Sequence, residues 1–263
     1  MQKGRDFYFD SFHIRIVCTR FDTSNQPKRS RLFKKAGAKL DRLGLSEVTP
    51  EEFADHIASE FSKIPDLVVV DVCAGLGGNT IAFSKLKNCK KIYAVDVDRG
   101  RLEKARFNAE EIYKIPPGLV TWVIEDFCES AKRMCIVNPA VFISPPWGGK
   151  TSNKTHFNLM GNSLLRELTK AALHLKPRVL TLYLPKSVFL SEIAELGKDL
   201  GFDDARVDIL RVGEDAKATV VHFLREKLTL RMPLLLQKTA AAAVCRAGVP
   251  GILGKFLSSI SFR

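Results

Sequence analysis

A rigid turn after an apolar run is the most chemically informative feature of this sequence. Val141–Ile143 is followed by Ser144, two prolines, Trp147 and two glycines. Consecutive prolines fix φ and keep the preceding residue extended, so Ser144 is held stiffly at a strand end. The carbonyls of Ser144 and Pro145 can accept the N–H of an exocyclic amine, while Trp147 stacks on a planar base. The alternative interpretation is a proline-rich turn with a core tryptophan.

A glycine-rich segment, Asp71–Asn79, follows a predicted strand and opens a predicted helix. Its glycines allow a tight turn and a close approach of the backbone to a ligand. The segment contains neither GxGxxG nor Gly-Lys-Ser/Thr, so it does not predict a phosphate cradle. Asp71, at the strand end, suits a cationic ligand such as the amino group and sulfonium of S-adenosylmethionine.

Carboxylates also follow the next two predicted strands. Asp96 is placed to accept the hydroxyls of a ribose, while Asp98 fits better as the cap of the following helix. Asp126 can accept from an adenine amine with Phe127 on the ring, or it can cap a helix. Because the carboxyl ends of parallel strands share one edge, these acids and the Ser144 turn are predicted to converge there.

The elements that must position these residues alternate along the chain. Helical periodicity fills the gaps between apolar runs, and the last two strands are joined by a link too short for a parallel crossover. The fold class is therefore α/β: a Rossmann-like, seven-stranded, mostly parallel sheet with a terminal antiparallel hairpin. The predicted strands are Leu67–Val72, Lys91–Val95, Val120–Ile124, Ala140–Ile143, Val179–Leu184, Ala205–Leu210 and Ala218–Leu224.

Three regions are predicted: an N-terminal basic extension over 1–48 that contributes to the site, a catalytic domain over 49–226 and an appendage over 227–263. Thr49 is predicted to cap the first helix of the domain, with proline at its first position. The basic run at 28–42 is an import signal, an RNA-contact patch or a solvated face. Residues 1–37 are expected to be irregular apart from an alternating piece.

Composition narrows the class of protein and its partners. The chain has 263 residues and a net charge of +12, which favours a polyanionic partner, nucleic acid before membrane. There is no membrane-length apolar run and no signal-peptide pattern, so we expect an intracellular protein with reduced cysteines. The six cysteines and five histidines show neither metal-ligand spacing nor a nucleophile–base arrangement, so no metal site is predicted.

With these residues in hand, the chain resembles the trimethylguanosine synthase family over about residues 31–225. The Ser-Pro-Pro-Trp-Gly-Gly string and the Gly-Gly-Asn-Thr loop are the most specific shared parts. The other shared segments are Arg31–Phe33, Lys39–Arg42, Val48–Glu51, Asp71–Gly77, Asp96–Asp98, Asn108–Glu110 and Asp126–Phe127. After Gly149 the chain departs from the family's usual Pro-Asp-Tyr, and Lys186 stands where the family has arginine.

The resemblance implies a class I methyltransferase that acts on the exocyclic N2 amine of 7-methylguanosine RNA caps. Ser144, Pro145 and Trp147 would engage the base, and Asn108, Lys186 and Lys150 would meet the phosphates. The cofactor is S-adenosylmethionine, and its implied contacts are Phe33, Thr49, Asp71, Gly75, Asn79, Thr80, Asp96, Val97, Asp126 and Phe127. A cationic N7-methylated base gains a cation–π energy of roughly 0.5–2 kcal/mol on an indole.

The resemblance further implies that the substrates are capped small nuclear or nucleolar RNAs. From this substrate class and the basic run we expect an enzyme of the nucleus, with the cytoplasm as a further location, and we expect it to act as a monomer. The products are 2,7-dimethylguanosine after one transfer and 2,2,7-trimethylguanosine after two, and the residues leave both open. Two alternatives also stay open. One is an amine methyltransferase for uncapped rRNA or tRNA, and the other is a non-catalytic RNA-binding module with the same fold.

Overall fold

Nine strands form one mixed sheet in the computed structural model, which describes residues 4–22, 28–147 and 156–224. The strands are β1 (Arg5–Phe9), β2 (Phe12–Phe21), β3 (Leu67–Val72), β4 (Cys89–Asp96), β5 (Val120–Ile124), β6 (Ala140–Ile143), β7 (Val179–Pro185), β8 (Asp204–Val212) and β9 (Asp215–Leu224). Their spatial order is β1-β2-β8-β9-β7-β6-β3-β4-β5.

The seven strands from β3 to β9 confirm the predicted Rossmann-like sheet. β7, β6, β3, β4 and β5 pair in parallel, because helical crossovers connect them. β8 and β9 pair antiparallel, and β9 also runs antiparallel to β7. The order of strands changes direction at β3 and β6, and in open α/β sheets a ligand binds at that crevice.

The strand count corrects the sequence prediction, because β1 and β2 extend the sheet from seven strands to nine. They form a hairpin, and β2 pairs in parallel with β8 from His13 opposite Asp204 to Phe21 opposite Val212. Phe12 and Ile14 are buried in the core. The predicted extension over 1–48 thus divides into a hairpin at one sheet edge and a second part beyond residue 28.

Eight helices flank the strands in the described ranges. They are α1 (Lys28–Leu32), α2 (Gly44–Glu47), α3 (Glu51–Ser59), α4 (Gly78–Ser84), α5 (Arg99–Phe107), α6 (Phe127–Ser130), α7 (Ser163–Ala172) and α8 (Leu190–Asp199). Asp98 caps α5 as predicted, since its side chain accepts from the Arg101 N–H. α5 continues into one π-helical turn over Asn108–Ile112.

The cap predicted for α3 is wrong. Pro50 is the N-cap residue and makes no side-chain capping bond. The Thr49 hydroxyl instead accepts a hydrogen bond from the Asn79 side-chain amide at 3.2 Å. A tertiary contact has therefore replaced the local one, and it ties the start of α3 to the start of α4.

Alternate residues of β3 supply the two faces of the core. Val70 and Val72 pack with residues of α6, α7 and α8, whereas Val69 packs with residues of α3 and α4. A sheet buried on both faces is typical of parallel α/β folds and explains the continuous apolar run in β3. The polar groups that follow β3 are therefore carried on a rigid support. The appendage predicted over 227–263 lies outside the described residues.

Candidate active site

The glycine-rich loop after β3 adopts backbone conformations that glycine favours. Gly75 has φ +55° and Gly77, the N-cap residue of α4, has φ +84°. Both angles lie in the left-handed region, where a side chain is disfavoured. The Gly75 N–H donates to the Asp96 carboxylate at 2.8 Å, and the Ala74 N–H donates to the Val95 carbonyl at 3.0 Å. The loop is thus fastened to the end of β4.

Asp71 lies beneath this loop and is completely buried. One carboxylate oxygen accepts from the Thr80 hydroxyl at 2.5 Å, and the other has no hydrogen-bond partner in the described parts of the chain. The pKa of Asp71 is raised to about 7, mainly by burial; the Thr80 hydrogen bonds oppose this shift and the negative charge of Asp96 adds to it. The Asn79 side-chain oxygen is a second buried acceptor without such a partner. Two such acceptors fit a cationic amino group.

Asp96 lies at the end of β4 as predicted, but its carboxylate already has two partners. It accepts from the backbone N–H of Gly75 at 2.8 Å and from that of Asp98 at 2.9 Å. Two apolar side chains stand exposed at the same edge: Val97 is 69% exposed and Ile124 is 38% exposed. Ile124 pairs directly with Asp96 across the strands. A flat ring lying over these side chains would remove them from water.

Asp126 occupies the cap position that the sequence left as its alternative. Its side chain accepts from the Cys128 N–H at 2.7 Å at the start of α6, and it is exposed. Phe127 is only 4% exposed and packs in the main core, so its ring is covered by protein side chains. The structure therefore brings Asp126 to the predicted edge, but it does not leave the Phe127 ring open there.

The Ser144 turn is joined directly to the end of β3 that leads into the glycine-rich loop. The Ser144 N–H donates to the Val72 carbonyl at 3.2 Å, which continues the pairing of β6 with β3 up to the glycine-rich loop. Pro145 is buried and Trp147 is half-buried. The Trp147 indole N–H donates to the Tyr183 carbonyl at 3.0 Å. Trp147 is thus anchored at the edge, where one side of it packs against the core and the rest stays exposed.

The residues predicted to meet phosphates are placed differently from one another. Lys186 follows β7 and is exposed at the same end of the sheet. Lys150 lies outside the described residues. Asn108 is completely buried, and its amide accepts from the Lys39 N–H at 2.6 Å and donates to the carbonyls of Lys39 and Leu76. The predicted phosphate contact of Asn108 needs correction, because its hydrogen-bonding groups are occupied within the protein.

The segment 33–48, here called the arm, is held over the glycine-rich loop by these and other contacts. Asn108 links Lys39 of the arm to Leu76 of the loop. Phe33 is buried in a small cluster with Leu76, and the Arg101 guanidinium bonds Glu47 of the arm at 2.8 Å. The arm therefore covers the loop from the side of α5.

Several cations of the basic run contact the protein itself. The Lys39 ammonium lies 3.7 Å from the centre of the Phe107 ring, and that of Lys34 pairs with Glu52 at 3.1 Å. Arg29 donates to the Ala38 carbonyl at 2.7 Å. The basic run therefore has a fourth interpretation beside the three given above: its side chains hold the arm against the rest of the protein.

Glu51 is a positioning residue that the sequence analysis missed. Its carboxylate accepts from the Lys34 N–H at 2.7 Å, from the Tyr113 hydroxyl at 2.5 Å and from the Lys85 ammonium at 2.8 Å. Burial raises the pKa of Glu51, but these hydrogen bonds outweigh it, so the pKa is lowered overall. Its partners are remote in sequence, so its position at the start of α3 was the one feature of the sequence that could have indicated a structural role.

Two histidines near the sheet have polar partners. His56 bonds Asp208 at 2.6 Å, and His222 is buried against the Thr181 hydroxyl at 2.9 Å. His56, Glu60 and Asp208 bring potential metal-ligand atoms within 4.8 Å of one another. The Arg206 guanidinium bonds Glu60 and lies 4.0 Å from Asp208, so it offsets part of the negative charge of this group. The described ranges hold no helix long and apolar enough to cross a bilayer.

Comparison with known proteins gives the context of this geometry. A family profile described as RNA cap guanine-N2 methyltransferase matches residues 67–227. The trimethylguanosine synthase of Schizosaccharomyces pombe is 34% identical over 178 residues, which cover 64% of this chain and 72% of that protein.

Solved structures share the fold at low identity. The magnesium protoporphyrin IX methyltransferase of Synechocystis PCC 6803, with bound S-adenosylhomocysteine, has a TM-score of 0.52 at 14% identity, over 76% of this chain and 93% of that one. An S-adenosylmethionine-dependent methyltransferase from Agrobacterium tumefaciens has a TM-score of 0.51 at 12% identity, over 85% of this chain and 70% of that one. The fold is therefore that of the class I methyltransferases, and the matched profile shows that the chain belongs to the RNA cap guanine-N2 methyltransferase family.

Proposed function

We propose that this enzyme methylates the N2 amine of 7-methylguanosine through the residues at the carboxyl edge of β3, β4 and β6. The observation that carries the proposal is the bond between Ser144 and Val72, which places the Ser144 turn beside the glycine-rich loop. The amine acceptors and the cofactor loop therefore share one edge. The donor is S-adenosylmethionine, which supplies an electrophilic methyl group when it is bound.

The residues around the loop fit that cofactor. The unpartnered oxygens of Asp71 and Asn79 would accept from its amino group, and the exposed side chains of Val97 and Ile124 would cover its adenine. Asp96 would accept from the ribose hydroxyls while it holds the Gly75 N–H. These contacts orient the reacting methyl group and exclude water from it. Four further residues would support these cofactor contacts from a greater distance: Phe33, Thr49, Thr80 and Asp126.

The substrate base would lie against Trp147, with its amine toward the carbonyls of Ser144 and Pro145. N7-methylation makes guanine cationic, and an indole face attracts that cation by roughly 0.5–2 kcal/mol. No side chain is assigned as a general base: holding the amine lone pair in line with the methyl group is the chain's contribution. Lys186 and Lys150 would meet the cap phosphates.

We further propose that the substrates are capped small nuclear or nucleolar RNAs, that the enzyme works in the nucleus and that it acts as a monomer. The net charge of +12 supports a polyanionic partner. Whether a second methyl group is added depends on whether the N2-methylated base still fits against Ser144, so the product mass decides between dimethyl and trimethyl caps.

The test is methyl transfer to 7-methylguanosine triphosphate and to guanosine triphosphate, with products counted by mass. We expect transfer to the N7-methylated base alone. Trp147→Ala should raise KM for the cap at least tenfold and change the affinity for S-adenosylhomocysteine less than twofold, because the indole contacts the base rather than the cofactor. Trp122→Ala, which removes the other indole of the chain, is the matched control.

Two results would contradict the proposal. Equal transfer to both nucleotides would remove the role of the cationic base. Transfer to structured uncapped RNA, with none to either nucleotide, would establish the alternative amine methyltransferase instead.

A further inference from the structure

Trp147 packs against the core beside α3, and within the described residues Tyr183 of β7 holds it through two distinct contacts. The indole N–H donates to the Tyr183 main-chain carbonyl at 3.0 Å. The two rings lie 4.9 Å apart, centre to centre, with 36° between their planes. Trp147 therefore has both a polar and an aromatic contact with one residue, and each fixes a different degree of freedom of the indole.

Tyr183 is itself immobilised. It is 5% exposed, and β7 pairs with β6 on one side and with β9 on the other. Its phenol interacts with the Thr49 side chain, which opposes the rise that burial causes in the pKa of Tyr183. The Thr49 hydroxyl in turn accepts from Asn79 beside the cofactor loop. Tyr183 is thus held through its main chain by the sheet and through its phenol by Thr49.

We propose that the Tyr183 ring is a platform that fixes the orientation of Trp147, so that the indole is already placed to stack on the cap base. This inference rests on the proposed stacking role of Trp147. A ring on a turn between prolines and glycines would otherwise sample several orientations, and ordering it on binding would reduce affinity. Tyr183 is a positioning residue, since it acts through Trp147.

The substitution pair Tyr183→Leu and Tyr183→Phe separates the ring from the hydroxyl. Leucine keeps the main-chain carbonyl but removes the aromatic platform, so we expect the Kd for 7-methylguanosine triphosphate to rise at least tenfold. Phenylalanine restores the ring and should bring this Kd within threefold of wild type. The Kd for S-adenosylhomocysteine, measured by calorimetry, should stay within twofold in both variants.

A spectroscopic readout reports the platform independently of binding. The chain has two tryptophans, so Trp122→Phe leaves Trp147 as the only tryptophan, and excitation at the red edge selects it over the tyrosines. In that background, time-resolved anisotropy should show fast local motion of the indole in Tyr183→Leu and little in Tyr183→Phe. Tyr93→Leu, the same change on β4, is the control for loss of a core-packed tyrosine that does not contact Trp147 in the described structure.

The outcomes separate this inference from the function on which it rests. Unchanged cap affinity and unchanged anisotropy in Tyr183→Leu would overturn the platform. A parent protein that binds S-adenosylhomocysteine but no cap would instead overturn the proposed function, whatever the anisotropy shows. If Tyr93→Leu loosens Trp147 equally, the effect is general destabilisation, and the platform is again overturned.

Discussion

At the scale of single residues, the burial of Asp71 has a structural cost that its proposed role in binding a cation would explain. Its carboxylate is buried with one unpartnered oxygen, and its pKa is raised to about 7. A buried acid with a raised pKa contributes stability that is complete below the unfolded pKa of about 4 and is lost as pH rises to about 7. The free protein therefore carries an unfavourable charge at neutral pH, which a cationic ligand would offset.

We predict that Asp71→Asn raises the melting temperature of the ligand-free protein at pH 8, by about 3 °C, because it removes that charge. At pH 4 the gain should vanish. The same variant should bind S-adenosylhomocysteine at least tenfold more weakly. Thermal unfolding and calorimetry measure both, with Asp66→Asn, an exposed acid just before β3, as control. A variant that melts lower at pH 8 would contradict this account.

At the same scale, the sequence predicted which side chains lie at the edge of the sheet, but it did not predict which groups they hydrogen-bond. Asp71, Asp96 and Ser144 could be placed at one edge because each follows an apolar strand. Asn108 was assigned to phosphates, whereas its partners are the backbone of Lys39 and Leu76. Hydrogen bonds between segments so far apart leave no local pattern, and Glu51 and Tyr183 were missed for the same reason.

At the scale of elements, the arm and the glycine-rich loop form one unit. Asn108 acts on Lys39 as a neighbouring peptide group would, accepting from its N–H and donating to its carbonyl. It stands at the first position of the π-helical turn after α5, and such turns often mark functional positions. Losing this amide would leave three backbone groups without a side-chain partner.

We predict that Asn108→Ala destabilises the protein by about 2–4 kcal/mol in urea unfolding, through buried backbone groups left unpaired. It should also make the arm a preferred site of limited proteolysis and weaken S-adenosylhomocysteine binding. Asn88→Ala is a matched control, because Asn88 also bonds backbone carbonyls, those of Phe61 and Ile64. If the two variants lose cofactor affinity equally, the link between arm and loop is not the cause.

Strands and helices differed in how well they could be predicted. The strands β3, β6 and β7 were predicted because burial on both faces gives continuous apolar runs. β1 and β2 were not predicted, since β2 pairs with β8, which is remote from it in sequence. The cap of α3 was misassigned to Thr49 because a tertiary bond to Asn79 took its hydroxyl.

At the scale of the whole molecule, a buried histidine makes the folding stability depend on pH in acid. The pKa of His222 is lowered to about 3, mainly by burial and then by the charge of Arg206, while the charge of Asp208 opposes the shift. The unfolded chain binds a proton below about pH 6.5 that the folded chain excludes. The contribution of His222 to stability therefore falls as pH decreases from 6.5 toward 3.

Replacing both partners, Thr181→Val with His222→Leu, should remove this dependence, because an apolar pair of similar shape leaves no unsatisfied group. We expect the variant to resist urea as well as wild type does at pH 7.5, and to be more stable by about 2 kcal/mol at pH 5. Urea unfolding at the two pH values measures this. The exposed His174→Gln should follow wild type, and parallel curves for all three proteins would refute the prediction.

The pairing of β2 with β8 also sets the order in which parts of the sheet can form during synthesis. β2 is synthesised before β3 to β7, whereas its parallel partner β8 follows them. Until β8 is made, β1 is the described strand that can pair with β2, and the apolar residues Phe12 and Ile14 lack the core that later covers them. Pairing over such a separation is slow because a long loop must close first. The nascent chain thus carries an incomplete sheet edge while β3 to β7 are made, and a chaperone that shields this hairpin would protect it from wrong pairing.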